Sequence, residues 1–146
     1  FLMKLISHRG NITGIKPELE NHPDYINEAF KAGFNVEIDV WYIENQFYLG
    51  HDKPTHQVGW RFLINHSFWC HAKNFEALHR MRHCGAHCFW HEEDEYTLTS
   101  KGFIWTYPGK MIGTQSVIVC KTEKETLDTY KQRLYGICSD FVGVLK

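Results

Sequence analysis

Short apolar or β-branched runs recur along the chain with polar or helix-patterned stretches between them, which is the pattern of strands in a β/α architecture rather than of a bundle or sandwich. The runs predict strands over residues 3–8, 35–42, 46–50, 68–73, 87–92, 102–106, 116–120 and 136–141. Three helices are predicted between them. Residues 23–32 carry Pro23 and Asp24 in the first turn and Gly33 just past the end. Residues 74–83 start from an Asn74 cap, place Ala77, Leu78 and Met81 on one face, and stop at Gly85. Residues 122–134 open with Thr122 and, three residues on, Glu125, a capping box, with Leu127, Tyr130 and Leu134 expected to be buried.

Eight strands suggest a barrel, yet 146 residues fall short of the roughly 200–250 that a full eight-fold β/α barrel uses. The expected fold is therefore one domain over residues 1–146, a compact TIM-type (β/α) barrel with several outer helices shortened or missing. Such trimming would uncover apolar strand faces. The 22 aromatic residues, or a second copy of the chain in a homodimer, are the expected cover.

Composition narrows the class. With 43% hydrophobic and 23% charged residues, and no apolar run near the roughly 20 residues of a membrane span, a globular chain without a membrane span is expected. The opening apolar run ends at Ser7-His8-Arg9 without the small-residue cleavage site of a signal peptide, so it reads as the first strand. A formal charge of -1 and scattered Lys and Arg leave no electrostatic footprint for nucleic acid. Five cysteines without regular spacing argue for a reducing, cytoplasmic setting rather than a disulfide framework. Ten histidines lean toward chemistry, because imidazole titrates near neutrality and binds metals.

In Val36-Glu37-Ile38-Asp39-Val40, strand alternation aims both carboxylates to one face. Two like charges so close repel, and a divalent cation is the simplest way to keep both ionised; the bland alternative is the polar face of an antiparallel strand. His8-Arg9-Gly10 ends the first strand and Gly50-His51-Asp52 follows the third, each a histidine emerging from an apolar run. Two imidazoles beside an acidic pair on a metal suit phosphoryl transfer, one activating the attacking group and the other protonating the leaving alkoxide.

The order His-Arg-Gly, Glu-Asn before a helix, Glu-x-Asp and His-Asp resembles the glycerophosphodiester phosphodiesterase family over roughly the first half of the chain. The resemblance implies a TIM barrel, His8 and His51 as the catalytic acid/base pair, Arg9 as a phosphate contact, and Glu20, Glu37 and Asp39 as metal ligands. Two departures stand out. Leu19 replaces the family's Pro before Glu20-Asn21, and His22-Pro23 replace the usual Thr-Leu. In Phe68-Trp69-Cys70-His71-Ala72-Lys73, which resembles the family's Glu-x-Lys strand, His71 stands where a metal-binding Glu is expected, while Lys73 keeps its place as a phosphate contact. The implied cofactor is one divalent ion, Mg²⁺, Ca²⁺ or Mn²⁺; a His71 ligand moves preference toward Mn²⁺ or Zn²⁺.

Beyond that half, His91 and Glu92 end a strand in an acidic cluster, Ser139-Asp140 is similar to a Thr-Asp near the end of family members, and Trp105 and Tyr107 could wall a substrate or fill the core. His83, Cys84, His87 and Cys88 superficially resemble a zinc knuckle, but four ligands from one turn do not make two convergent pairs. The expected function is metal-dependent hydrolysis of a small phosphodiester such as a glycerophosphodiester. The alternatives are a lyase that forms a cyclic phosphate and a barrel that binds phosphate or metal without turnover.

Overall fold

The computed structural model describes residues 2–146; Phe1 lies outside them. The elements in chain order are β1 (Lys4–His8), α1 (Pro23–Lys31), β2 (Asn35–Ile43), β3 (Gln46–Leu49), β4 (His56–Val58), α2 (Trp60–Leu63), β5 (Phe68–Ala72), α3 (Phe75–Cys84), β6 (Cys88–Phe89), β7 (Tyr96–Leu98), β8 (Ile104–Thr106), β9 (Ser116–Cys120), α4 (Glu123–Tyr130) and β10 (Gly136–Ser139), followed by a 3-10 turn at Val142–Leu145.

The expected TIM-type barrel does not form. Ten strands make one mixed sheet that curls into a half-barrel, with four short helices among the described residues. Strands β6-β5-β2-β1-β10-β9-β8 run parallel in that order, and among the described residues no ladder joins β6 to β8. Two segments expected as barrel strands explain the difference. Only Glu44 and Asn45, both at positive φ (49° and 65°), separate β2 from β3, so β3 must fold back antiparallel; a parallel return needs a crossover of a dozen or more residues. The segment expected as a strand over 87–92 pairs only at Cys88 and Phe89, too little to close the sheet.

The helices cover the convex face. Asn74 caps α3 by accepting from the Ala77 N–H, and Gly85 ends it at φ 87°, as its sequence predicts. Thr122 caps α4 through the Glu125 N–H, but the helix stops at Tyr130. Leu127 and Tyr130 are exposed, contrary to expectation, and Thr126 and Thr129 are buried in their place; Leu134 is buried from the loop that leads into β10. Ile26, Ala29, Ala77 and Met81 from α1 and α3 pack on Val36, Ile38, Val40, Phe68 and Cys70. Among the described residues no helix is long and apolar enough to cross a membrane.

The concave face positions the site. Alternation aims Ile6, Trp69, Phe89, Trp105, Val117 and Cys138 inward, where they form one apolar floor. Phe89 stacks on Trp105 with ring centroids 4.5 Å apart, and Trp69 lies 5.8 Å from Trp105. Two residues further along three of these strands, the same alternation aims His8, His71 and Asp140 into a polar layer above the floor. The parallel registers His8 with Glu37 and Asp39 with His71 bring that layer together.

Candidate active site

The chain turns sharply after β1. Arg9 and Gly10 both have positive φ (59° and 98°), and the Asn11 N–H donates to the His8 carbonyl at 3.0 Å. This turn sets His8, Arg9 and Asn11 around one point. Gly10 is required there twice over, by its φ and because a Cβ would lie 2.5 Å from the Tyr25 ring. The loop to α1 then returns, its Asn21 N–H donating to the Arg9 carbonyl at 3.0 Å.

Glu37 and Asp39 are buried, at 2% and 0% exposure. Asn21 holds Asp39 from both sides: its Nδ2 donates to Oδ2 at 2.9 Å, and its Oδ1 accepts the Asp39 backbone N–H at 2.9 Å. Arg9 Nε lies 3.2 Å from the same Oδ2. His71 donates from Nε2 to the His91 carbonyl at 2.7 Å, which aims Nδ1 at Asp39 Oδ1 (3.2 Å) and Glu37 Oε2 (3.7 Å). Among the described residues Glu37 Oε1 and Asp39 Oδ1 are buried with no well-aligned hydrogen bond, Asp39 Oδ1 having only the His71 contact.

Burial, and the Asp39 charge beside it, raise the Glu37 pKa to about 7. Burial acts on Asp39 in the same direction, but the His71 contact, the Arg9 charge and the Asn21 amide outweigh it and hold Asp39 well below the usual carboxylate range. His71 is the converse case: burial disfavours its charge, and Asp39 with Glu37 overcomes that and raises its pKa.

This trio fits a divalent ion. One ligand atom from each of Glu37, Asp39 and His71 lies within 4.8 Å of the other two, the separation expected of atoms sharing an ion at roughly 2.0–2.6 Å from each. The orphaned oxygens would gain the partner they lack. The ring N–H of His71 pinned on a carbonyl is the arrangement that fixes a ligating imidazole.

Beside the trio, His8 donates from Nδ1 to Asp140 Oδ1 at 2.9 Å, leaving Nε2 3.8 Å from Glu37 Oε1. Burial disfavours a charge on His8, but the Asp140 hydrogen bond and the Glu37 charge outweigh it, so its pKa is raised; that of Asp140 is lowered against its own burial, chiefly by His8. His51 reaches the site because the β2–β3 hairpin folds back, with the Gly50 N–H donating to the Asp39 carbonyl at 3.1 Å and the Gly50 carbonyl accepting from Trp41 Nε1 at 2.7 Å. His51 is exposed, with Nδ1 2.9 Å from Asp52 Oδ1. It lines a cavity of about 430 Å³ together with Arg9, Glu20, Asn21 and Lys53. A second opening, about 280 Å³, is lined by His8, Asp140 and Lys121 and shares Arg9, Ile15 and Glu20 with the first. The two histidines thus open on either side of the Arg9–Glu20 pair.

The structure therefore brings together His8, Arg9, Glu37, Asp39 and His71, and His51 lines the neighbouring cavity with Arg9 and Asn21. Glu20, expected on the metal, binds Arg9 Nη1 at 3.1 Å and Asn11 Nδ2 at 2.9 Å and is not one of the three residues whose ligand atoms converge. Lys73 follows β5 with its backbone N–H on the Val40 carbonyl; among the described residues its side chain joins no ion pair. Asp140 was legible as an acid at a strand end next to Ser139, but nothing in the spacing assigned it to His8. Asn11 carried no signal beyond standing next to His-Arg-Gly.

No family model, no curated protein and no solved structure matches the chain.

Proposed function

We propose that the chain cleaves small phosphodiesters, glycerophosphodiesters foremost, with a divalent ion held by Glu37, Asp39 and His71. The observation that carries this is the buried trio with two orphaned carboxylate oxygens lying against a His–Asp pair, His8 and Asp140. The ion, when bound, supplies charge neutralisation at a phosphate oxygen. The resemblance of His8-Arg9-Gly10, Glu20-Asn21, Glu37-x-Asp39 and His51-Asp52 to the glycerophosphodiester phosphodiesterase motifs supports the same reading.

The side chains divide the work. Arg9, with Nη1 on Glu20 and Nε beside Asp39, keeps further N–H groups to orient the phosphate. His8 and His51 each have Nδ1 on a carboxylate and Nε2 left to hold or move a proton. The raised pKa of His8, held by Asp140, suits the proton donor to the leaving alkoxide, and exposed His51 suits the base that receives the attacking water's proton. Five free cysteines, four of them buried, support a reducing, cytoplasmic setting, and cavities of a few hundred Å³ suit a small substrate.

Phosphorus NMR of glycerophosphocholine treated with the Mn²⁺-loaded protein in ¹⁸O water tests the reaction. Glycerol 3-phosphate carrying solvent oxygen, lost in His8→Ala with the fold intact, is the expected result. A cyclic phosphate without solvent oxygen would make the chain a lyase, and no product with any metal would reject cleavage of this diester.

A further inference from the structure

Asn11 is fully buried in the turn after β1, and all of its side-chain hydrogen-bonding capacity is spent. Nδ2 donates to Glu20 Oε2 at 2.9 Å and to Asp140 Oδ1 at 2.8 Å. Oδ1 accepts from Tyr25 Oη at 3.0 Å and from the Lys16 N–H at 3.2 Å. The two donors fix the amide's orientation, because both carboxylates can only accept. The two carboxylates belong to different parts of the site: Asp140 holds His8, and Glu20 holds Arg9.

We propose that Asn11 is a positioning residue that sets the His8–Asp140 pair and the Arg9–Glu20 pair in register through one amide. This rests on reading the site as a phosphodiesterase. A buried residue could serve the fold alone, but three features of Asn11 go further. Its two hydrogens are divided between two carboxylates 120 residues apart in sequence, Glu20 and Asp140. Each of those carboxylates carries a charged partner that faces the cavities. Its acceptor side is anchored by Tyr25, which reaches Asn11 because Gly10 leaves the ring room. Without the amide, Asp140 and Glu20 each lose a charge-assisted hydrogen bond, and among the described residues no other side chain hydrogen-bonds both carboxylates.

The test compares Asn11→Ala, Asn11→Asp, Asp140→Asn and Glu20→Gln, with turnover of bis(4-nitrophenyl) phosphate and two-dimensional NMR of the Arg9 Nε–H and His8 ring signals. Asp140→Asn is expected to lower kcat and Glu20→Gln to raise KM. Asn11→Ala is expected to do both by about tenfold or more, with the double variants falling short of the product of the singles. Asn11→Asp, which faces two carboxylates with a third, is expected to be at least as damaging. Both NMR signals should move in Asn11→Ala. Loss of thermal stability with kcat, KM and both signals unchanged per folded molecule would overturn the proposal. Movement of both signals without turnover in the unaltered chain would keep the tie and sink the phosphodiesterase reading instead.

Discussion

Replacing Glu37 by Gln should stabilise the metal-free protein at alkaline pH. The Glu37 carboxylate is buried beside Asp39, and one of its oxygens has no hydrogen-bond partner. The folded state therefore favours its protonated form, with a pKa raised from the ordinary 4.5 to about 7, first by burial and then by Asp39. For an acid shifted upward, the folded chain binds the proton more tightly than the unfolded one, so the destabilisation is complete above pH 7 and vanishes below about 4.5. A shift of that size corresponds to roughly 3 kcal/mol. The loss of contacts to His8 and His71 offsets part of it, leaving about 1–2 kcal/mol gained by the amide at pH 8. Chemical denaturation of the chelator-treated protein and of Glu37→Gln at pH 8 and pH 5 measures it. The variant should be the more stable at pH 8, with the gap closing at pH 5. Divalent ions should stabilise the original chain through linkage and the variant much less. A Glu37→Gln variant that is less stable at pH 8 by 1 kcal/mol or more, without metal, would show that the carboxylate is a structural ion-pair partner and not a ligand held in readiness.

His87, buried with Nε2 2.8 Å from Thr99 Oγ1, has its pKa lowered to about 4 by burial and then by the Lys101 charge. Below pH 6.5 the unfolded chain takes up a proton that the folded chain refuses, so the stability His87 contributes is full above 6.5 and is lost as pH falls through 4; His87→Gln should flatten that part of the stability profile by about 1–2 kcal/mol after solvent screening. Gly10→Ala forces a side chain onto a left-handed φ and against the Tyr25 ring, and should cost about 2 kcal/mol by denaturant titration; unchanged stability would contradict the tight turn. His51→Ala removes an exposed imidazole and should lower kcat about 100-fold with melting unchanged, whereas unaltered kcat would remove His51 from the chemistry.

Much of the site was legible because it lies on strands whose alternation is simple. Glu37 and Asp39 had to share a face, and His8 had to emerge at a strand end, whatever the sheet's overall form. His71 was singled out through the resemblance of residues 68–73 to the family's Glu-x-Lys strand, and the register that sets it opposite Asp39 is seen only in the structure. The half-barrel was not read, although part of the signal was present. The two residues between Ile43 and Gln46 allow only a hairpin, so β3 could never have been a parallel barrel strand. The shortness of β6 was hidden by apolar residues, including Ala86 and Trp90, that pack on the core without pairing as strand. The end of α4 was misjudged because Leu134 completes a helical spacing but is buried from a loop. Glu20 hydrogen-bonds Arg9 and Asn11, and no linear spacing reveals those partners.

The most direct measurement is release of glycerol 3-phosphate from glycerophosphocholine by the metal-stripped chain, with Mg²⁺, Ca²⁺, Mn²⁺ or Zn²⁺ restored separately and Glu37→Ala beside it. Turnover that returns with a metal, Mn²⁺ or Zn²⁺ above Mg²⁺ or Ca²⁺ because His71 supplies a nitrogen, and that fails in Glu37→Ala is the predicted result. A folded chain that binds one ion at Glu37, Asp39 and His71 yet stays silent with all four metals would contradict it.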